Sequence, residues 1–216
     1  MEFTGEFETH ITVGLKDSNQ FEALQAWGIA RGLKFIHIVL DRGIHVSQLM
    51  LTRHGKGGLT DQLKIASDSS KSLNAEGLSV ARIKIEAAPW NQDVPQSNAE
   101  AVNHPGDRYF EHHIKLLLEP SANIVTLREL AEAHSAHLSR NVLRIRNDDY
   151  RERFVTQRCL AVGRVEARQQ LQNLLNAIAP LGYLVLEVEE EFVVYDSNLK
   201  IDAGWILSPE QLMQLG

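Results

Sequence analysis

The phrase Phe-Glu-x-His-Ile occurs twice, as residues 7–11 and again as residues 110–114. Nothing else in the 216 residues narrows the fold as far, because the recurrence has company. His10 and His113 stand 103 positions apart, Thr52 and Thr156 104, and both Gly77 and Gly182 and Glu86 and Glu191 105. An offset that drifts this slowly is what duplication with small insertions leaves, so two copies of one unit are expected.

The first copy reads as six elements. Residues 7–15 alternate as a strand does, with Ile11 and Val13 on one side and Glu8, His10 and Thr12 on the other. Residues 18–32 carry Phe21, Leu24 and Trp27 at helical spacing behind Ser18 or Asn19 as a cap. Two β-like runs, 33–43 and 46–55, meet around the turn signal Asp41-Arg42-Gly43. A second helix shows Leu59, Leu63, Ala66, Ser70 and Leu73 on one face and stops at Gly77, and residues 78–90 form a fourth strand.

The order then repeats. A strand over 108–119 leads to a helix over 126–138, with Leu127, Leu130, Ala131, His134 and Leu138 in its apolar stripe. Strands over 141–147 and 152–163, a helix over 164–182 and a strand over 183–196 follow. The expected fold is α+β: two ferredoxin-like β-α-β-β-α-β lobes with antiparallel sheets, over 1–90 and 108–198, related by a pseudo-twofold axis. Residues 91–107, rich in Asn, Gln and Pro, read as a linker. Residues 199–216 read as a tail packed on the lobes through Trp205, Ile206 and Leu207.

Composition bounds the partners. A net charge of −6 argues against a general nucleic-acid binder, whose affinity rests on clustered Lys and Arg. No apolar run reaches the roughly 18 residues of a membrane helix, and the start lacks the apolar core of a signal peptide. The single cysteine, Cys159, has no partner for an internal disulfide and points to a reducing, cytoplasmic setting. A homo-oligomer stays open.

A β-α-β-β-α-β unit lays both helices on one side of its sheet and leaves the other side bare. Alternation assigns Glu8, His10, Thr12, Gln48, Thr52, His54, Arg82, Lys84 and Glu86 to the bare face of the first lobe. The second lobe offers Glu111, His113, Lys115, Thr156, Arg158, Glu187, Glu189 and Glu191. A sheet face in water carries polar residues without any site. Here His and Glu recur at matching positions, so a polar cleft binding a small, anionic metabolite is the expected function, with the two His as candidate catalytic residues. Packed face to face, the lobes would bring both sets together.

Two alternatives stand beside it. Glu-x-His on a strand puts both side chains on one side about 7 Å apart, so Glu8, His10, Glu111 and His113 could hold a divalent metal for a hydrolase, isomerase or lyase. In residue type this is similar to the vicinal oxygen chelate modules, which hold a metal with His and Glu from sheet strands; the second helix of each lobe departs from them. His10-Ile11-Thr12 also resembles one half of the paired His-x-Thr of the 2H phosphoesterases, where two His act as acid and base, although the second copy reads His113-Ile114-Lys115. The other alternative is a non-catalytic assembly module.

A second candidate site is the strand-to-helix segment 52–61, with Arg53, His54, Gly55, Lys56, Gly57 and Gly58. Free backbone N–H groups beside basic side chains would suit an anion. It is not a Walker A loop, whose glycine and lysine spacing is absent. His37, His134 and His137 read as structural residues, the last two on a helix.

Overall fold

The computed structural model describes residues 1–15, 19–139, 144–145 and 149–205, the pair 144–145 by backbone alone. Ser18, Ile206 and Leu207 lie outside them, as does most of the expected strand 141–147. The first half runs β1 (Thr4–Gly14), α1 (Asn19–Ile29), β2 (Lys34–Val39), β3 (Ser47–Gly58), α2 (Leu59–Ala75) and β4 (Ser79–Ala87). A short helix, α3 (Asn98–Ala101), follows. The second half runs β5 (Tyr109–Leu118), α4 (Ile124–Ala133), β6 (Ala136–Leu138), β7 (Arg144–Ile145), β8 (Arg151–Leu160), α5 (Arg164–Ile178) and β9 (Leu184–Asp196).

These strands form one antiparallel sheet in the order β2-β3-β1-β4-β9-β5-β8-β6, with β7 beside β8. Each group of four has the order of a ferredoxin-like unit, so the chain is an α+β protein of that type. Both long helices return to the sheet through a left-handed glycine, Gly77 at φ 80° and Gly182 at φ 74°, a conformation that costs other residues free energy.

The halves join edge to edge through β4 and β9, paired from Lys84–Asp196 to Ala87–Phe192, and not face to face. At the far ends, Leu40 after β2 and Ser139 after β6 form an antiparallel bridge. Arg128 clasps Asp41 with Nε 2.5 Å and Nη2 3.0 Å from its oxygens, and Arg42 Nη1 meets Glu132 at 2.8 Å. The two outer strands therefore approach each other, and the sheet curls with its polar face inward. That is why Arg82, Lys84, Glu86, Glu111, Thr156 and Arg158 are all at most 7% exposed, although the long helices pack on the opposite face.

The outer face packs against the helices. Phe7, Ile85, Phe110 and Phe192 meet beneath the junction, with the rings of Phe110 and Phe192 4.7 Å apart, and each half adds its own cluster around Leu24 and Leu73 or Leu127 and Leu174. Burial of these side chains, about 1.5–3 kcal/mol each, is the main stabilising force.

Three local expectations change. The helix expected over 126–138 stops at Ala133, and residues 136–138 form β6, placing His137 on a strand. Ala136, His137 and Leu138 are all buried, so burial here shows no strand alternation, and the helical spacing of Leu127, Leu130, Ala131 and Leu138 conceals the strand. The glycine-rich segment is strand as far as Gly58, because Gly55, Lys56 and Gly57 pair with Phe7, Glu6 and Gly5. Residues 91–107 are ordered against the body: Ser97 and Glu100 form a capping box, and Val94 joins the core.

Candidate functional site

Each half builds the same small unit on the inner face. Cross-strand pairing sets Thr52 beside His10 and Thr156 beside His113. The His10 Nδ1 lies 2.8 Å from Thr52 Oγ1 and its Nε2 2.7 Å from Glu86 Oε2. In the second half His113 Nδ1 lies 3.1 Å from Thr156 Oγ1, with Nε2 3.4 Å from Glu191 Oε2 and 3.3 Å from Glu111 Oε1.

Lys84 links the two units. Its Nζ stands 2.6 Å from Glu86 Oε1 and 2.7 Å from Glu111 Oε1. Glu111 passes the chain to Arg158, whose Nε lies 2.5 Å away, and Arg158 Nη2 reaches Asp202 Oδ2 at 2.7 Å. Asp202 also meets Arg82 Nη1 at 3.0 Å and accepts a hydrogen bond from Gln48 Nε2 at 3.2 Å, while Arg82 forks onto Asp196. Asp196 and Asp202 are the members that sequence reasoning missed. Asp196 has no carboxylate counterpart at the repeat offset, where Asn91 stands, and Asp202 comes from the tail, in a short 3-10 turn over Leu199–Asp202.

The electrostatics follow from burial inside this chain of charges. Burial opposes ionisation of Glu111, but Arg158 and Lys84 overcome it and hold the carboxyl well below its usual range. Glu86 is likewise held down against burial by Lys84 and His10. Burial works against the charge on Lys84 too, yet Glu111 and Glu86 lift its ammonium above the ordinary lysine value. For His113, burial is outweighed by Glu111 and Glu191, and the ring is pushed up to about 10. Glu191 itself is raised, first by burial and then by the nearby Glu86. Glu189 is raised by burial as well.

Above this network opens a cleft of about 760 Å³. Its walls are Glu6, Phe7 and Glu8 of β1, His54 to Lys56 of β3, Ala88 to Trp90, and Val188 to Glu191 of β9, with Glu86 at the floor. It exists because β4 ends at Ala87 while β9 runs on with β5 as its one paired neighbour among the described residues. Six glutamates are among its lining residues, the carboxyl oxygens of Glu86 buried beneath it. Lys56 Nζ answers Glu6 at 2.7 Å, His54 Nδ1 lies 3.6 Å from Glu8, and the cations beneath hold Glu86 and Glu191. Arg168 and Arg164 approach Glu190 at 3.4 and 3.9 Å. Glu189 has no ion pair within 4 Å among the described residues. Walls with this many glutamates disfavour an anion. They equally disfavour phosphate between the two His, as the phosphoesterase resemblance would need.

The expected site residues divide accordingly. His10, Thr52, Lys84, Glu86, Glu111, His113, Thr156, Arg158 and Glu191 converge, and Glu8, His54 and Glu189 line the cleft above them. Lys115 lies farther along β5, 3.5 Å from Glu152 and 3.8 Å from Glu187, and Thr12 pairs with Arg82 away from the cleft. Among the described residues, the group whose ligand atoms lie within 4.8 Å of one another is Glu86, His113 and Glu191. Of the four expected metal ligands it keeps His113; Glu8, His10 and Glu111 give way to residues of β4 and β9.

The glycine-rich segment is arranged differently from an anion loop. Arg53 Nη1 donates to Gln62 Oε1 at 3.0 Å and Lys56 is paired with Glu6. The start of α2 holds the Glu2 carboxylate, which accepts from Thr60 N at 3.0 Å and from Thr60 Oγ1 at 2.8 Å. The place an external anion would take, at the helix N-terminus, is filled from within the chain.

No protein-family model matches the chain, and no curated protein matches it. Among solved structures it is similar to the small subunit of acetolactate synthase from Thermotoga maritima, at 12% identity and a TM-score of 0.32 over 88% of this chain and 95% of that one. It is also similar to chlorite dismutase from Candidatus Nitrospira defluvii in complex with imidazole, at 14% identity and a TM-score of 0.29 over 89% and 92%. Likeness at this level carries no argument about function, which rests on the residues themselves.

Proposed function

We propose that this chain is a ligand-binding protein of two duplicated ferredoxin-like lobes, and that its acidic cleft takes a small cationic ligand. The observation that carries the reading is the set of six glutamates among the residues lining about 760 Å³, a volume in the usual range for small-molecule sites. Pairing of Ala87 with Phe192, positions related by the repeat offset, and the matched Thr–His–Glu units support the duplication and a pseudo-twofold axis between β4 and β9. Thermal-shift titration with spermidine tests the ligand class. A dose-dependent rise in Tm that Glu189→Gln weakens supports it, and equal or larger stabilisation by citrate would sink it.

A second reading is favoured by the Glu86, His113 and Glu191 group, whose oxygen and imidazole donors suit a divalent cation. A metal there would replace the proton on His113 and draw the raised Glu191 into its ionised form. Titration of Zn²⁺ into weakly buffered protein should then release protons. Binding without proton release, or none, would remove this reading.

A further inference from the structure

The cleft has a wall of an unusual kind. From Leu184 to Glu191, β9 pairs with β5 on one side, while its pairing with β4 is confined to Phe192–Asp196. Along the other side of 184–191, no backbone hydrogen bond is made among the described residues, so a run of N–H and C=O groups lies open. At about 3.3 Å per residue this edge is roughly 26 Å long. The cleft follows it, because four consecutive residues, Val188 to Glu191, line the wall. A pocket for one compact ligand would meet alternate side chains, whereas this one meets the strand side-on.

The matching edge in the first half is used. Beyond its pairing with β9, β4 is met by Ser197, whose N donates to Ile83 O at 2.9 Å, and by Asn198, whose Nδ2 donates to Ala81 O at 3.0 Å. The chain leaving β4 turns instead toward β1, with Ala88 N donating to Glu6 O and Gln92 N to Thr4 O. It therefore gives β9 no equivalent cover. Leu184, Val185, Leu186 and Val188 stay 37–59% exposed, and Trp90 stands 66% exposed at the opposite lip.

We infer that the occupant of the cleft is an extended peptide segment with basic residues alternating with apolar ones, added as a further strand on the free edge of β9. This rests on the cationic reading above and deepens it. Glu189 and Glu191 share a face with His113 and Glu111, their cross-strand partners. Every second side chain of an added strand would lie on that face and meet carboxylates, so Lys or Arg suits those positions. The intervening side chains would lie on the opposite face and cover Val188. Main-chain hydrogen bonds supply affinity in this mode and the alternating side chains supply selectivity.

The test uses the whole chain and a fluorescein-labelled heptapeptide alternating Lys and Val, with a version N-methylated at alternate amides and with spermidine for comparison. Saturable binding by anisotropy, weakened about tenfold or more by Glu189→Gln and at least as much by N-methylation, is the expected result. If the methylated peptide binds as well as its parent, strand addition is overturned while the cationic cleft stands. If spermidine binds and the peptide does not, the occupant is a small amine and the inference fails alone. If neither binds, both readings fall.

Discussion

Lys84 of β4 and Glu111 of β5 meet across the junction of the two halves, Nζ to Oε1 at 2.7 Å, with both side chains at least nine-tenths buried. Each half thus supplies the counter-charge for the other, and neither half satisfies its inner face alone. Lys84→Met leaves Glu86 and Glu111 short of a cation in a low-dielectric setting. A loss of about 3–5 kcal/mol in unfolding free energy is expected by urea denaturation, the usual cost of breaking a buried pair from one side. A loss below about 1 kcal/mol would mean that water reaches the pair.

The tail has a comparable role through Asp202, which lies between Arg82 and Arg158. Asp202→Ala should destabilise by a similar amount, about 3–5 kcal/mol, since two buried guanidinium groups lose a partner together. Asp202→Asn should cost less, because it keeps the hydrogen-bond acceptor. Equal effects from both variants would show that charge alone matters there.

Stability should fall on both sides of neutrality, for different residues. Glu86, Glu111 and Asp202 are held below their unfolded values, so the stability they give is present above about 4.5 and is lost as the pH drops through the lower folded values. His113 has the opposite sign. Its contribution is complete below 6.5 and fades as the pH climbs to about 10. Tm measured against pH should show both limbs, and His113→Gln should flatten the alkaline one. An unchanged alkaline limb in that variant would assign the loss to another group.

Cys159 is 2% exposed, and its thiol is pushed up to about 12 by burial and then by Glu166. A thiolate is the reactive form. The native protein should therefore leave a chromogenic disulfide reagent unreacted at pH 8 over hours and react fully once denatured. Rapid reaction in the native state would show that β8 opens locally.

Gly163, at the start of α5, touches the backbone of Ser97, and a Cβ built there would lie 2.2 Å from the Ser97 carbonyl carbon. Gly163→Ala must push the segment 95–98 off the helix end, where Arg164 N now donates to Pro95 O. A destabilisation of about 1–3 kcal/mol is expected by thermal melting, the range for overpacking. No change would mean the segment yields freely.

Much of the architecture was legible because two periods, one of 2 within strands and one near 104 along the chain, reinforce each other. The pairs His10–Thr52 and His113–Thr156 follow from that register, so their convergence could be argued from residue order. What could not be read was how the halves meet. Edge pairing of β4 with β9 depends on a bulge between Ile85 and Glu86, which leaves no mark in composition. The sign of the cleft was hidden for the same reason: Lys84 and Arg158 look available in the sequence, but the fold turns both toward carboxylates beneath the cleft. Around His137, helical and strand periods fit the same apolar residues, and tertiary packing decided between them.

The unpaired side of β9 also has a bearing on how this protein behaves in concentrated solution. A long bare strand edge invites copies of the chain to stack on one another. Glu187, Glu189, Glu190 and Glu191 stand along it, and a second copy brought alongside would set like charges close together. The same glutamates that draw a basic partner therefore act as gatekeepers against self-association. Mild acid or high salt, which quiet those charges, should be the conditions under which the chain first comes out of solution.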